Sequence, residues 1–284
     1  MKLIRYVAPF SQTRFIYAMS GSTMQDPWIA FRKPRPEARL RLFCFPYAGG
    51  GASMYRTWSD AVPQQVEICP VQLPGRENRL RDAPFRRIEP LIERLADALQ
   101  PYLDRPFAFF GHSMGALVAF ELAQTLRRHG RACPAYFFAS ARRAPHLAGD
   151  KNSLHTMTDD ELIEELRRLD GTPEKVLADR GLMAWMLPLF RADFEVHETY
   201  ACSQWEALDC PISAFGAVDD ETVSREQIHA WRLHTRSEFV LRLFPGDHFF
   251  IDKMQPAVIR AVMHDLVTFV PCLSVKAAHV ETSA

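Results

Sequence analysis

The sequence predicts an α/β protein: a mostly parallel central sheet flanked by helices, with a helical lid inserted in its second half. Three observations predict it. Apolar runs alternate with amphipathic helical stretches up to Tyr136–Ser140; the pattern G-x-S-x-G falls between one such run and one such helix; and from about Pro145 to Trp205 the periodicity is helical with no strand. At 284 residues, 48% hydrophobic and 24% charged, the chain is an ordinary globular protein with enough apolar residues for one large core and an inserted subdomain.

In chain order, Met1 to Met24 has scattered apolar residues broken by Arg5, Gln12, Thr13 and Arg14, which is neither a signal-peptide core nor a membrane span. Residues 1–30 are expected to be an N-terminal extension, mobile or upstream of a later start. Leu40 to Phe45 reads as a strand, followed by the loop Phe45-Pro46-Tyr47-Ala48-Gly49-Gly50-Gly51, whose small residues let backbone approach a substrate. Neither G-x-G-x-x-G nor G-K-[ST] is present, so this loop is not read as a phosphate cradle. A further loop after a strand, Leu73-Pro74-Gly75-Arg76-Glu77, opens a basic cluster of Arg76, Arg79, Arg81, Arg86 and Arg87, read as a solvated face or a docking site for an acidic partner.

Pro106 to Phe110 reads as a buried strand, and Leu117, Phe120, Leu122, Ala123 and Leu126 recur at helical spacing until His129-Gly130 closes the helix. Between them, Gly111-His112-Ser113-Met114-Gly115 puts Ser113 on a strand-to-helix corner too tight for side chains at 111 and 115. This is the sequence form of a nucleophile elbow, the corner expected in an α/β-hydrolase fold. The motif alone occurs by chance in roughly one chain in ten of this length, so its setting and its partners carry the argument.

Those partners should follow in the order acid, then histidine. Beyond the lid, whose helices are expected over Asp159–Leu169, Pro173–Asp179 and Leu182–Tyr200 with Thr158 or Asp159 as a cap, the apolar strand Pro211–Val218 ends in Asp219-Asp220-Glu221. Another strand, Phe239–Phe244, runs into Pro245-Gly246-Asp247-His248. Of ten histidines only His248 sits on such a loop; His129, His155, His229 and His234 lie in charged stretches and read as surface. Ser113 is thus the candidate nucleophile, His248 the base and then acid, and Asp219 or Asp220 the carboxylate that fixes the imidazole tautomer. The expected oxyanion donors are the Met114 amide and one from Tyr47 or Ala48. Lid residues Leu182, Met183, Trp185, Met186, Leu187 and Phe190 are too many for a single buried stripe, and some are expected to line an acyl-binding cavity.

The expected organisation is a core of 31–144 and 206–273, a lid over 145–205 and a tail over 274–284. Lys plus Arg and Asp plus Glu number 34 each, so no global charge favours nucleic acid or an acidic membrane surface. Six cysteines without C-x-x-C or metal-ligand spacing point to a reduced, cytoplasmic setting with no metal, and the absence of a coiled-coil repeat to a monomer.

Along almost its whole length the chain resembles the type II thioesterases, the stand-alone editing enzymes of polyketide and nonribosomal peptide synthesis, and is similar to the medium-chain fatty acid thioesterase. The resemblance rests on Phe43–Gly50, Leu73–Glu77, Phe109–Gly115, Gly171-Thr172-Pro173, Leu187–Asp193 and Phe244–Phe250 in that order. It implies hydrolysis of acyl thioesters on the phosphopantetheine arm of acyl or peptidyl carrier proteins, with no cofactor beyond that arm. It also implies Ser113, His248 and, from the match over Phe215–Asp220, Asp220 as the triad. Two departures stand out: Asp247 and Ala217 each replace a glycine common in the family, and Asp247 puts a second carboxylate beside His248, a neighbour that favours the charged ring. The alternatives are a carboxylesterase or lipase-like enzyme on free small esters, a medium-chain acyl-carrier thioesterase releasing fatty acids, a thioesterase that cyclises or transfers its acyl group, and a non-enzymatic binding module of hydrolase fold.

Overall fold

The computed structural model describes residues 27–149, 153–202 and 204–274. The expected N-terminal extension, apart from residues 27–30, and the tail beyond 274 lie outside the described residues.

Six strands, β1 (Leu40–Phe45), β2 (Val66–Pro70), β3 (Phe107–His112), β4 (Tyr136–Ser140), β5 (Ile212–Ala217) and β6 (Phe239–Phe244), form one sheet of order β2-β1-β3-β4-β5-β6. Every pairing is parallel. Both faces of such a sheet are covered, so its strands read as unbroken apolar runs; β1 to β5 are buried throughout and only the edge strand β6 is half-buried.

On one face Phe43, Phe45, Phe109 and Phe137 meet α2 (Ile88–Leu99) and α3 (Met114–Arg128). On the other, Leu42, Cys44, Phe110 and Phe138 meet α1 (Trp58–Ala61) and α9 (Gln255–Phe269). Short helices α7 (Arg225–His229) and α8 (Phe250–Lys253) follow β5 and precede α9 respectively. Between β4 and β5, where the sequence predicts a lid, the helices α4 (Asp159–Leu169), α5 (Glu174–Leu177) and α6 (Arg180–Glu198) bury Leu162, Leu166, Met183, Leu187, Phe190 and Phe194 in a small core of their own. Thr158 starts α4 through a capping box with Glu161, and the Asp179 side chain accepts the Leu182 amide at the start of α6.

From β1 the chain moves outward to β2, then returns across β1 to β3 and on to β6, so the strand order reverses between β1 and β3. Open parallel sheets bind ligands at that point, beyond the strands' carboxyl ends. The glycine loop follows β1 and Ser113 follows β3, with Phe45 paired to Gly111 where the two strands end.

Candidate active site

β3 runs two residues further than its apolar segment, to His112, and the chain then turns at Ser113 with φ 52° and ψ −118°. A non-glycine residue rarely adopts a positive φ; here the Ser113 amide donates to Ser140 O at 2.8 Å while its carbonyl accepts from Ala116 N–H at 3.0 Å. The flanking glycines are required sterically. A Cβ at 111 would lie 2.3 Å from Gly115 O, and one at 115 would lie 2.2 Å from Phe45 O.

The structure brings Ser113, His248 and Asp220 into one chain of hydrogen bonds. Ser113 Oγ stands 3.0 Å from His248 Nε2, and His248 Nδ1 stands 2.9 Å from Asp220 Oδ2. Asp220 Oδ1 accepts from the Thr222 hydroxyl at 2.7 Å, the Thr222 amide at 2.8 Å and the Val223 amide at 3.2 Å, while Thr222 Oγ1 also lies 2.8 Å from His248 Nδ1. Burial raises the Asp220 carboxyl, but its bonds to His248 and Thr222 outweigh this and hold it below the usual carboxylate range. An ionised Asp220 requires the ring proton on Nδ1, which leaves Nε2 free to accept from the serine hydroxyl.

Asp219 is exposed and contributes its amide to Gly246 O at 3.0 Å, extending the β5–β6 pairing. Asp247 does not turn to the His248 ring: its carboxylate accepts from Lys253 Nζ and from the Phe249 amide, and Lys253 holds it below the ordinary carboxylate range. Lys253 also reaches Asp170 of the lid at 3.6 Å. Beside it, Gly171 sits against Phe249 so closely that a Cβ there would be 2.1 Å from Cζ, and the Phe249 ring meets His248 and Tyr47 edge-on.

Several residues that sequence reasoning passed over or read as surface are buried or partly buried. His112 is fully buried, with Nε2 donating to His248 O at 2.9 Å and Nδ1 accepting from the Ser140 hydroxyl at 2.9 Å. Burial, with His248 nearby, pushes its pKa down to about 3, so it is a neutral strut beneath the candidate base. Arg76, expected from the sequence in a basic surface cluster, is instead buried and pairs through both terminal nitrogens with Asp193 of α6. His234, expected at the surface, is also buried, 2.7 Å from His146 Nδ1, and burial lowers its pKa to about 3. His155 is partly buried against Glu198 at 2.6 Å.

A cavity of about 430 Å³ opens between the sheet and the lid. Tyr47, Ala48, Ser113 and His248 form its floor, and Leu166, Val176, Met186, Phe190 and Phe194 line the lid side. Of the apolar lid residues expected to divide between cavity and core, Met186 and Phe190 line the cavity, Met183 and Leu187 pack inside the lid, and Leu182 and Trp185 are exposed. Among the described residues no helix is long and apolar enough to cross a membrane.

The parallel sheet and the serine corner define an α/β-hydrolase. The comparisons with known proteins narrow this: the thioesterase-domain family model matches residues 40–266, from β1 into the last turn of α9. The chain belongs to the thioesterase family and is a thioester hydrolase. It is 45% identical over 248 residues, 87% of this chain and 97% of the relative, to the gramicidin S biosynthesis protein GrsT of Aneurinibacillus migulanus. Among solved structures it is similar to RedJ, a thioesterase of the prodiginine pathway in Streptomyces coelicolor, at 41% identity and a TM-score of 0.76, covering 82% of this chain and 88% of that one. It is also similar to BorB, a type II thioesterase from the borrelidin cluster, at 36% identity and a TM-score of 0.77, covering 86% of this chain and all of that one.

Proposed function

We propose that this chain is an editing thioesterase that hydrolyses acyl groups from the phosphopantetheine arm of carrier proteins in nonribosomal peptide or polyketide synthesis. The observation that carries this reading is the Ser113–His248–Asp220 arrangement, at 3.0 and 2.9 Å, opening into a cavity lined by the lid. The pathways named for GrsT, RedJ and BorB support the choice of substrate.

In this mechanism Ser113 Oγ attacks the thioester carbonyl as His248 Nε2 takes its proton, and the negative oxygen of the tetrahedral intermediate is met by the Met114 amide and one from Tyr47 or Ala48. Collapse breaks the C–S bond; the pantetheine thiol leaves with the proton from His248, and an acyl-serine remains. Water, losing a proton to His248, attacks that ester, and the second intermediate releases the carboxylic acid and restores Ser113. A thiolate leaves readily, so selectivity falls to the cavity and to docking of the carrier rather than to leaving-group chemistry. In this reading each step uses side chains and backbone amides of this chain, and the pantetheine arm enters as part of the substrate.

The test is hydrolysis of acetyl and longer acyl groups on a carrier protein, beside the same groups on free pantetheine, by wild type and Ser113→Ala. Faster, Ser113-dependent release from the carrier is expected. Equal or better turnover of the free thioesters would favour a general esterase, and release independent of Ser113 would remove the proposed nucleophile.

A further inference from the structure

We propose that Arg76 and Asp193 are positioning residues that set the glycine loop after β1 for oxyanion binding, so that the lid helix α6 and the proposed oxyanion donor are aligned by one buried ion pair. The inference rests on the proposed role of Ser113 as the nucleophile of a thioesterase.

The pair is bidentate. Arg76 Nη1 donates to Asp193 Oδ2 at 2.8 Å and Nη2 to Oδ1 at 2.7 Å, with the two side chains 5% and 3% exposed. Each partner also grips the loop. Asp193 Oδ2 accepts the Gly49 amide at 2.7 Å, and Arg76 Nη1 donates to Gly50 O at 3.1 Å. One turn earlier on α6, Phe190 lies against Gly49, where a Cβ would fall 2.2 Å from the ring, and Gly49 has a φ of +77°. Two further side chains from the loop after β2 hold the turn beyond the glycines: Gln72 Oε1 accepts the Ala52 amide at 2.9 Å and Glu77 Oε1 the Ser53 amide at 3.3 Å.

The amides of Gly49, Ala52 and Ser53 are therefore occupied by side chains, whereas among the described residues Tyr47 and Ala48 donate no backbone hydrogen bond. All four loop residues Tyr47, Ala48, Gly49 and Gly50 line the cavity with Ser113, and of these Tyr47 and Ala48 are the two whose amides are left for an oxyanion, because Gly49 gives its amide to Asp193 and Gly50 gives its own to Tyr47 O. A buried ion pair rarely adds much stability over an apolar pair of the same size, but its fixed fork geometry specifies position. Here that position is shared by a loop that must donate to a developing charge and a helix whose Met186, Phe190 and Phe194 line the acyl cavity.

The experiment compares Asp193→Asn and Arg76→Lys with wild type, Ser113→Ala, and Arg86→Ala as a control that removes the ion pair of the exposed Arg86 with Glu195 between the same two segments. For each folded variant, kcat and KM are measured on an acyl-pantetheine thioester, together with the affinity for a trifluoromethyl-ketone analogue that forms a tetrahedral adduct. A loop shifted by about 1 Å should lower kcat about 100-fold. KM should stay within about threefold, the ketone should weaken in parallel with kcat, and Arg86→Ala should match wild type.

Should Arg76→Lys not fold, Asp193→Asn carries the same test, because the amide has the carboxylate's size and keeps an acceptor for Gly49 while losing the charge that fixes the guanidinium. Folded variants with wild-type kcat, or losses confined to KM with unchanged ketone affinity, overturn the proposal while leaving the hydrolase reading intact. Wild-type hydrolysis unaffected by Ser113→Ala would instead sink the reading on which it rests.

Discussion

Asp219 and Asp220 are neighbours with opposite surroundings: one continues the strand pairing into solvent, the other has a buried side chain that receives three donors from Thr222 and Val223 besides His248. Asp220→Asn should therefore cut kcat by about 10³- to 10⁴-fold, as removal of an orienting carboxylate does elsewhere, while Asp219→Asn and Asp247→Asn should stay within about twofold; steady-state turnover of an acyl-pantetheine decides it. Equal losses at all three positions would contradict the assignment. Thr222→Val, which deletes the hydroxyl donor to Asp220, should cost activity by about tenfold with little change in KM, read from the same assay. Ser113 and His248 were legible in the sequence because a tight corner and a post-strand loop leave local signatures. His112 and Arg76 were not, since their partners His248 and Asp193 stand 136 and 117 residues away, and a buried arginine looks like a surface one until its carboxylate is found.

The elbow depends on two elements approaching without side chains between them, β1 below and α3 behind. Gly115→Ala would press a methyl group into the Phe45 carbonyl, which belongs to a central strand and cannot move aside, so it should destabilise the fold by about 3 kcal/mol in chemical denaturation. Met186, Phe190 and Phe194 of α6 line the cavity, so Phe190→Ala should enlarge it and raise kcat/KM for bulkier acyl groups relative to acetyl by about tenfold, measured across a chain-length series. The helix α4 was legible over its full span, Asp159–Leu169, because its capping box announces the start. α6 begins two residues before its expected limit, since the Asp179 cap and not the apolar period sets where it starts. β2 was visible only as some strand before Leu73, because Val66-Glu67-Ile68-Cys69-Pro70 interrupts its apolar run with a charge; that charge is buried and answered by Arg32 and Arg41.

Across the whole molecule, acid sensitivity is built into buried histidines. His112 and His234 have folded pKa values lowered to about 3, well below the ordinary value near 6.5, and the unfolded chain therefore binds more protons than the folded one between those limits. Their neutral forms favour the native state fully above about pH 6.5, and that contribution drains away as pH falls toward 3. Asp220, also lowered, adds a loss of the same sign at more acidic pH. Denaturant midpoints measured from pH 8 to pH 4.5 should thus fall on the acid side, and His234→Gln should flatten the slope by about one proton; a midpoint indifferent to pH would refute this. The fold class was readable beforehand because it is written in local periodicity; the shape of the cavity was not, because it arises where the helices α4 to α6 meet the sheet. The uniform direction of the six strands also makes this a one-ended tool. The exposed Cys133 lies on the loop entering β4, at the opposite rim from Ser113, so enzyme molecules tethered to a solid support through that thiol should present every working mouth outward and keep their solution rate.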